Sequence, residues 1–173
     1  MTHEMLDTIL KRKSTKSYKS TPVPRELIDK VLEAGIHAAN GMNRQSPIIV
    51  AITDKEVRAR LAAANAAVMG SNSDPFYNAP AVLVVLADAS VRTHVYDGSL
   101  VMGNMMLAAE ELSLGSCWIH RAKEVFELPE WKTWLKSIGV EGEYEGVGNL
   151  ILGYPDKESI EKPRRENRIF YVE

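Results

Sequence analysis

The chain has 173 residues, 45% of them hydrophobic and 25% charged, with a formal net charge of -2. That length suits one domain with a core of its own, and near-neutral charge with few aromatic residues argues against a general nucleic-acid binder. Cys117 is the single cysteine, which excludes an intrachain disulfide and the Cys-rich zinc patterns.

Met5, Leu6, Ile9 and Leu10 predict a short amphipathic helix. It delivers the chain to KRKSTKSYK, residues 11 to 19, where four lysines and one arginine are interleaved with hydroxyls and no acid falls between Thr8 and Arg25. A helix entered through Pro24 follows, with Leu27, Ile28, Val31 and Leu32 on one face, ending near NGMN at residues 40 to 43. IIVAIT, residues 48 to 53, reads as a buried strand, and Asp54 as the N-cap of the next helix. Residues 70 to 80 have loop composition, and AVLVVLA, residues 81 to 87, is the strongest strand.

The stretch from about residue 92 to 114 contains LVMGNMMLAA, apolar nearly all round. It predicts a helix buried on most sides, partly by a partner subunit. GSCWI at 115 to 119 is a short strand or turn, AKEVFELPEWKTWLKSIG a helix pair broken near Pro129, and GVGNLILGY at 146 to 154 a further strand. The polar, basic tail ends in RIFYV, a strand in search of a sheet or, more plainly, a frayed terminus. There is no internal repeat or linker, so residues 1–173 read as one domain. The N-terminus carries acids where a signal peptide has bases, and no apolar run reaches the roughly 18 residues that would suggest a span. The expectation is a soluble, cytoplasmic protein that binds neither nucleic acid nor membrane.

Two basic clusters stand at opposite ends of the chain: Arg12, Lys13, Lys16 and Lys19, then Lys162, Arg164, Arg165 and Arg168. Such runs are most often solvated faces. The alternative is one anionic ligand held by both, a phosphate gripped by Arg, Lys and the hydroxyl of Ser14 or Thr15. No GxxxxGK[ST] occurs, and no GxGxxG stands between a strand and a helix, so side chains rather than a glycine cradle would do the holding. Asn43 and Gln45 offer amides in the NGMNRQSP turn, or plain loop polarity. Cys117 reads as a small buried residue before a nucleophile, and His120 as a cap or surface residue before an acid or base. Asp97 and Glu110 read as satisfied polar positions, and Met102, Met105 and Met106 as packing. His3, His37, His94 and His120 have no metal-ligand spacing. With neither nucleophile nor metal evident, the pattern suits an enzyme whose phosphorylated cofactor carries the chemistry.

RKSTKSY at 12 to 18, AANGMNRQSP at 38 to 47, LAAEELSLGSCWI at 107 to 119, and LGYP at 152 to 155 followed by KPR at 162 to 164 resemble, in order and spacing, the FMN-dependent nitroreductase family. The resemblance implies an α+β fold, a mixed and largely antiparallel sheet wrapped by helices. It implies an intertwined homodimer with two FMN at the interface and a C-terminal arm, about residues 156–173, crossing to the partner's sheet. It also implies hydride transfer from NADH or NADPH to flavin N5, then to a nitroaromatic, quinone or similar acceptor in ping-pong order, with no catalytic side chain. An FMN carrier or sensor with little turnover, or a reductase of other chemistry such as dehalogenation or enone reduction, remains open.

Carried over by resemblance, Arg12, Lys162 and Arg164 grip the phosphate, Lys13 is a basic neighbour, and Ser14 lies on the ribityl or phosphate side. Lys16 faces the flavin pyrimidine edge. Asn40, Gly41, Met42, Asn43 and Gln45 approach from the other subunit, and Ser116, Cys117, Trp118, Ile119 and His120 lie along the ring. Asn72 is a further residue reaching toward it. The chain departs from the family in reading QSP where QPW is common, and His120 with Arg121 where larger members have an acid and a glycine.

Overall fold

The structure, a computed structural model, describes residues 4–173. His3, weighed above for metal binding, lies outside the described residues.

Strands β1 Pro47–Ile52, β2 Ala81–Asp88, β3 Gly115–Ile119 and β4 Tyr144–Gly153 form one sheet, in the order β1-β2-β4-β3 and antiparallel throughout. A parallel bridge between Ser14 and Ser116 makes the sheet mixed at that one point among the described residues. Helices α1 Glu4–Lys11, α2 Arg25–Ile36, α3 Lys55–Met69, α4 His94–Glu111, α5 Ala122–Phe126 and α6 Pro129–Ser137 wrap it. The α+β expectation holds.

The run AVLVVLA is apolar because β2 is covered on both faces. Val82, Val84 and Leu86 meet Leu61 of α3, Phe126 of α5 and Trp131 of α6. Leu83, Val85 and Ala87 meet Ile28 and Val31 of α2 and Met102 and Met105 of α4. Met102, Met105 and the half-buried Met106 are packing, as expected. The pairing of β2 with β4 slips between Val85 and Leu86, where Val147 is the extra residue of a bulge flanked by Gly146 and Gly148.

Asp54 caps α3 as expected, its carboxylate accepting from Glu56 N and Val57 N, and Gly70 closes the helix in the left-handed region at φ 69°. Other expectations need correction. β1 is an edge strand rather than a buried one, and Ile48, Ile49 and Val50 are only half-covered because no strand of the described residues lies beyond it. α2 stops at Ile36, before the NGMN turn, where a bond from Ala38 N to Gly35 O tightens the chain out of the helix. The α4 expectation is not among these: the helix packs one face on the sheet through Val101, Met102, Met105 and Ala109, while Tyr96 and Leu100 are 73% and 50% exposed on the single chain.

The tail is anchored as far as Asp156, whose N–H donates to Ser17 O. Beyond it the chain is mostly exposed, and RIFYV pairs with no strand among the described residues. No helix among the described residues is long and apolar enough to cross a membrane.

Candidate active site

The site begins where α1 ends. Thr15 N donates to Ser116 O at 3.0 Å, and Lys19 N to Tyr154 O at 2.9 Å, so the basic stretch lies along the free edge of β3 and beside the end of β4. Tyr18 OH donates to Thr15 O at 2.8 Å and pins the segment from below. Gly115 permits the approach, because a Cβ there would stand 2.7 Å from the Thr15 side chain.

This register brings the two ends of the chain together. Arg12, Lys13, Ser14, Lys16, Cys117 and Trp118 share one cavity of about 620 Å³ with Lys162 and Arg164. Lys19, Arg165 and Arg168 do not line it. Lys157, Glu158 and Glu161 also reach its wall, yet none of the six cations forms an ion pair among the described residues. Arg12 Nη1 is buried there with no hydrogen-bond partner. An unsatisfied buried donor costs about 1–3 kcal/mol, more when charged, so this nitrogen stands where an anionic acceptor is wanted.

A second cavity of about 410 Å³ shares Lys16, Cys117 and Trp118 with the first and adds Tyr77, Ile119, His120 and Arg121. Lys16 Nζ lies 5.7 Å from the centre of the Tyr77 ring. Trp118 packs against β4 where Gly148 leaves room, since a Cβ at that position would stand 2.5 Å from the indole nitrogen. Ser116 is buried and serves through its backbone. Burial pushes the Cys117 thiol up, and the lowering influences of Ser14, Lys16 and Arg12 do not overcome it. Cys117 is therefore a neutral thiol at pH 7, and the small-and-buried reading holds. His120 is exposed.

The turn at residues 40 to 45 stands apart from both cavities within one chain. Gly41 to Asn43 form a 3-10 turn in which Met42, Asn43 and then Gln45 take positive φ of 55°, 54° and 50°. Asn40 Oδ1 accepts from Gln45 N, and Gln45 Nε2 donates to Asn43 Oδ1. Buried Asp97 accepts from Gly41 N, Ser46 Oγ and Thr93 Oγ1 and ties the turn to α4, so it is the satisfied polar residue expected. Strain held this firmly in an exposed turn is a mark of functional segments. Asn72 is exposed and lines neither cavity.

Asn65 escaped the sequence reading. Fully buried on α3, it donates to His120 O at 2.9 Å and accepts from Arg121 Nε at 3.0 Å. It fixes the turn after β3, where Arg121 sits in the left-handed region at φ 73°. The available signal was an amide on the apolar stripe of Leu61, Ala62 and Ala66. Among the described residues no cluster of His, Cys, Asp or Glu is arranged to hold a metal ion.

A basic cavity with a buried guanidinium nitrogen that has no partner thus lies beside the apolar end of β3. The model of the nitroreductase family matches residues 9–75 and 67–154. The chain belongs to that family. It is similar to an FMN-bound nitroreductase from Bacteroides fragilis, with a TM-score of 0.90, 27% identity, and coverage of 99% of this chain and 100% of that one. It is 28% identical to an NADPH-flavin oxidoreductase of Vibrio harveyi, over 92% of this chain and 69% of the relative. It is also 24% identical to an NAD(P)H-using FMN reductase of Bacillus subtilis, over 94% of this chain and 70% of the relative.

Proposed function

We infer that the protein is an FMN-dependent oxidoreductase that draws hydride from NADH or NADPH and delivers electrons to a small-molecule acceptor such as a nitroaromatic or quinone. Membership of the family and the flavin chemistry of its relatives support the class. The observation that carries the cofactor assignment is Arg12 Nη1, buried without an acceptor in a cavity lined by five further cations, Lys13, Lys16, Lys157, Lys162 and Arg164.

The residues present fit the group. A phosphate monoester carries about -1.5 to -2 charges and several acceptor oxygens. Arg12 and Arg164 offer forked donors, Lys162 a point charge and Ser14 a hydroxyl. Lys16 lines both cavities and would set positive charge against the ring's pyrimidine edge, favouring its reduced state. Ser116 to His120 would supply backbone along the ring, with Trp118 as an apolar wall. When bound, FMN supplies the hydride-accepting centre, and the protein's part is orientation, desolvation and charge.

The working unit in this reading is a homodimer. Tyr96 and Leu100 on α4 and Met5, Leu6 and Leu10 on α1 are exposed apolar residues that a second copy would cover. The turn of Asn40, Gly41, Met42, Asn43 and Gln45, remote from the cavity of its own chain, would then complete the partner's. RIFYV would add to the partner's sheet at β1, the edge left open in the single chain.

The test is a visible spectrum of protein loaded with FMN and desalted, before and after anaerobic NADH and then NADPH. Retained bands that bleach within seconds support the oxidoreductase and name the donor. Retained bands that stay yellow with both donors overturn turnover and favour a carrier. Loss of the flavin on desalting overturns the cofactor assignment.

A further inference from the structure

Asn65 holds both sides of the turn that follows β3. Its Nδ2 donates to His120 O at 2.9 Å, and its Oδ1 accepts from Arg121 Nε at 3.0 Å. Asn149 of β4 adds a longer bond from its Nδ2 to His120 O at 3.4 Å. Both amides are 0% exposed, so the His120 carbonyl is turned into the core. The 120–121 peptide is trans, and across a trans peptide the C=O and the following N–H point in opposite directions. Arg121 N–H is therefore turned away from the core, on the side of the open cleft that His120 and Arg121 help to line. β3 stops pairing at Ile119, and among the described residues Arg121 N has no acceptor. Arg121 is held at φ 73°, a backbone state that residues other than glycine rarely keep without support.

Resting on the flavin reading above, we propose that Asn65 is a positioning residue for the flavin: it locks the 120–121 peptide so that an N–H, and not a carbonyl, faces the ring nitrogen that takes the hydride. The two orientations of that peptide are opposite in polarity. The oxidised ring nitrogen is an acceptor, so an N–H complements it and draws electron density from it, whereas a carbonyl would repel it. Burial makes the lock firm. Turning His120 O toward the cleft would leave Asn65 Nδ2 in the core without its acceptor. Asn149 does not substitute for it, because its 3.4 Å bond to His120 O is shared with Ile119 O at the same distance. The competing role for Asn65 is a brace of the fold alone, and binding of two flavins separates the roles.

The experiment measures, by calorimetry on the full chain, the affinity for FMN and for 5-deaza-FMN, in which that one ring nitrogen is replaced by C–H. The phosphate grip and the apolar contacts of the ring are common to both, so the ratio of affinities reads the single hydrogen bond. The unsubstituted protein should hold FMN about fivefold to tenfold more tightly, the worth of one neutral hydrogen bond. Asn65→Asp keeps the shape and an acceptor for Arg121 but offers no donor to His120 O, and the ratio should fall to about one. Asn65→Leu should give the same result, and it serves if the buried carboxylate prevents folding. Equal affinities in the unsubstituted protein overturn the proposal with no variant needed. Variants that lose stability, or bind both flavins more weakly, yet keep the ratio overturn it too and make Asn65 a brace of the fold alone. Unsubstituted protein that retains neither flavin overturns the flavin reading, and this proposal with it.

Discussion

Ser14 and Ser116, far apart in sequence, pair as a parallel bridge, and this contact lays the basic N-terminal stretch along β3. The pairing depends on Gly115, where any Cβ would strike Thr15. Gly115→Val should push the segment off the strand. We expect a loss of about 1–3 kcal/mol in stability, as for other overpacked sites, together with weakened retention of FMN. Denaturant unfolding and a flavin titration on the same preparation check this. Wild-type flavin affinity in a destabilised protein would show that the bridge matters only for folding.

The phosphate grip predicts an additive pattern across the chain's two ends. Arg12→Ala and Arg164→Ala should each weaken FMN about tenfold to a hundredfold, since a charge-assisted hydrogen bond is worth about 1.5–3 kcal/mol. Lys16→Met should leave affinity closer to wild type and make the bound flavin harder to reduce, read as a more negative midpoint potential. An unchanged potential would remove Lys16 from its assigned role.

Much of this arrangement was legible in the chain. The β-branched and apolar runs gave the strands, because β2 and β4 are buried and their composition records it. The basic clusters were visible as charge and their meeting was one open alternative, but composition alone did not decide it. It depends on the register of Ser14 on Ser116 and on Tyr18 bridging to Pro155, contacts that composition does not encode. β1 was misjudged as buried because Ile48, Ile49 and Val50 look the same in an edge strand as in a central one. Asn65 was invisible for a similar reason: a helix-borne amide signals nothing until its partners, His120 O and Arg121 Nε, are known.

Asp97 predicts a stability effect with a geometric signature. Its carboxylate satisfies three donors, Gly41 N at 2.9 Å, Ser46 Oγ at 3.1 Å and Thr93 Oγ1 at 2.9 Å. Asp97→Ala leaves all three without their acceptor and should cost about 3 kcal/mol or more. The strained turn should loosen with it, seen as faster amide exchange at Gly41 through Gln45 than elsewhere at matched stability. Exchange that rises uniformly would mean the turn is held by its own hydrogen bonds.

Asp74 makes stability depend on pH in a defined direction. Burial alone would raise its carboxyl. The hydrogen bonds from Arg58, Phe76 N and Asn78 N, with the charge of Arg58, outweigh burial and hold it below the ordinary value of 3.8. A depressed carboxyl stabilises the fold above the unfolded value and loses that contribution as pH falls through the folded one. Wild type should therefore be more stable than Asp74→Asn at neutral pH, and the gap should narrow as pH drops below about 4. Thermal unfolding of both proteins from pH 7 to pH 3 measures it. A gap that stays constant with pH would mean the asparagine acts through shape rather than charge.

The tail supplies the last prediction. Ile169, Phe170, Tyr171 and Val172 are 74%, 83%, 84% and 99% exposed on the single chain, although the segment is rich in β-formers. So large a run of exposed apolar surface is costly in water, and β1 offers an edge with unpaired backbone groups. If the arm crosses to a partner, Phe170→Asp should place a charge in a dry contact and shift the protein toward monomer at micromolar concentration, as sedimentation would record. FMN retention should fall in step with the monomer fraction, because Asn43 and Gln45 reach the flavin only from a second copy in this reading. A Phe170→Asp protein that stays dimeric and keeps its flavin would remove the arm from the interface and leave the exposed faces of α1 and α4 to form it alone.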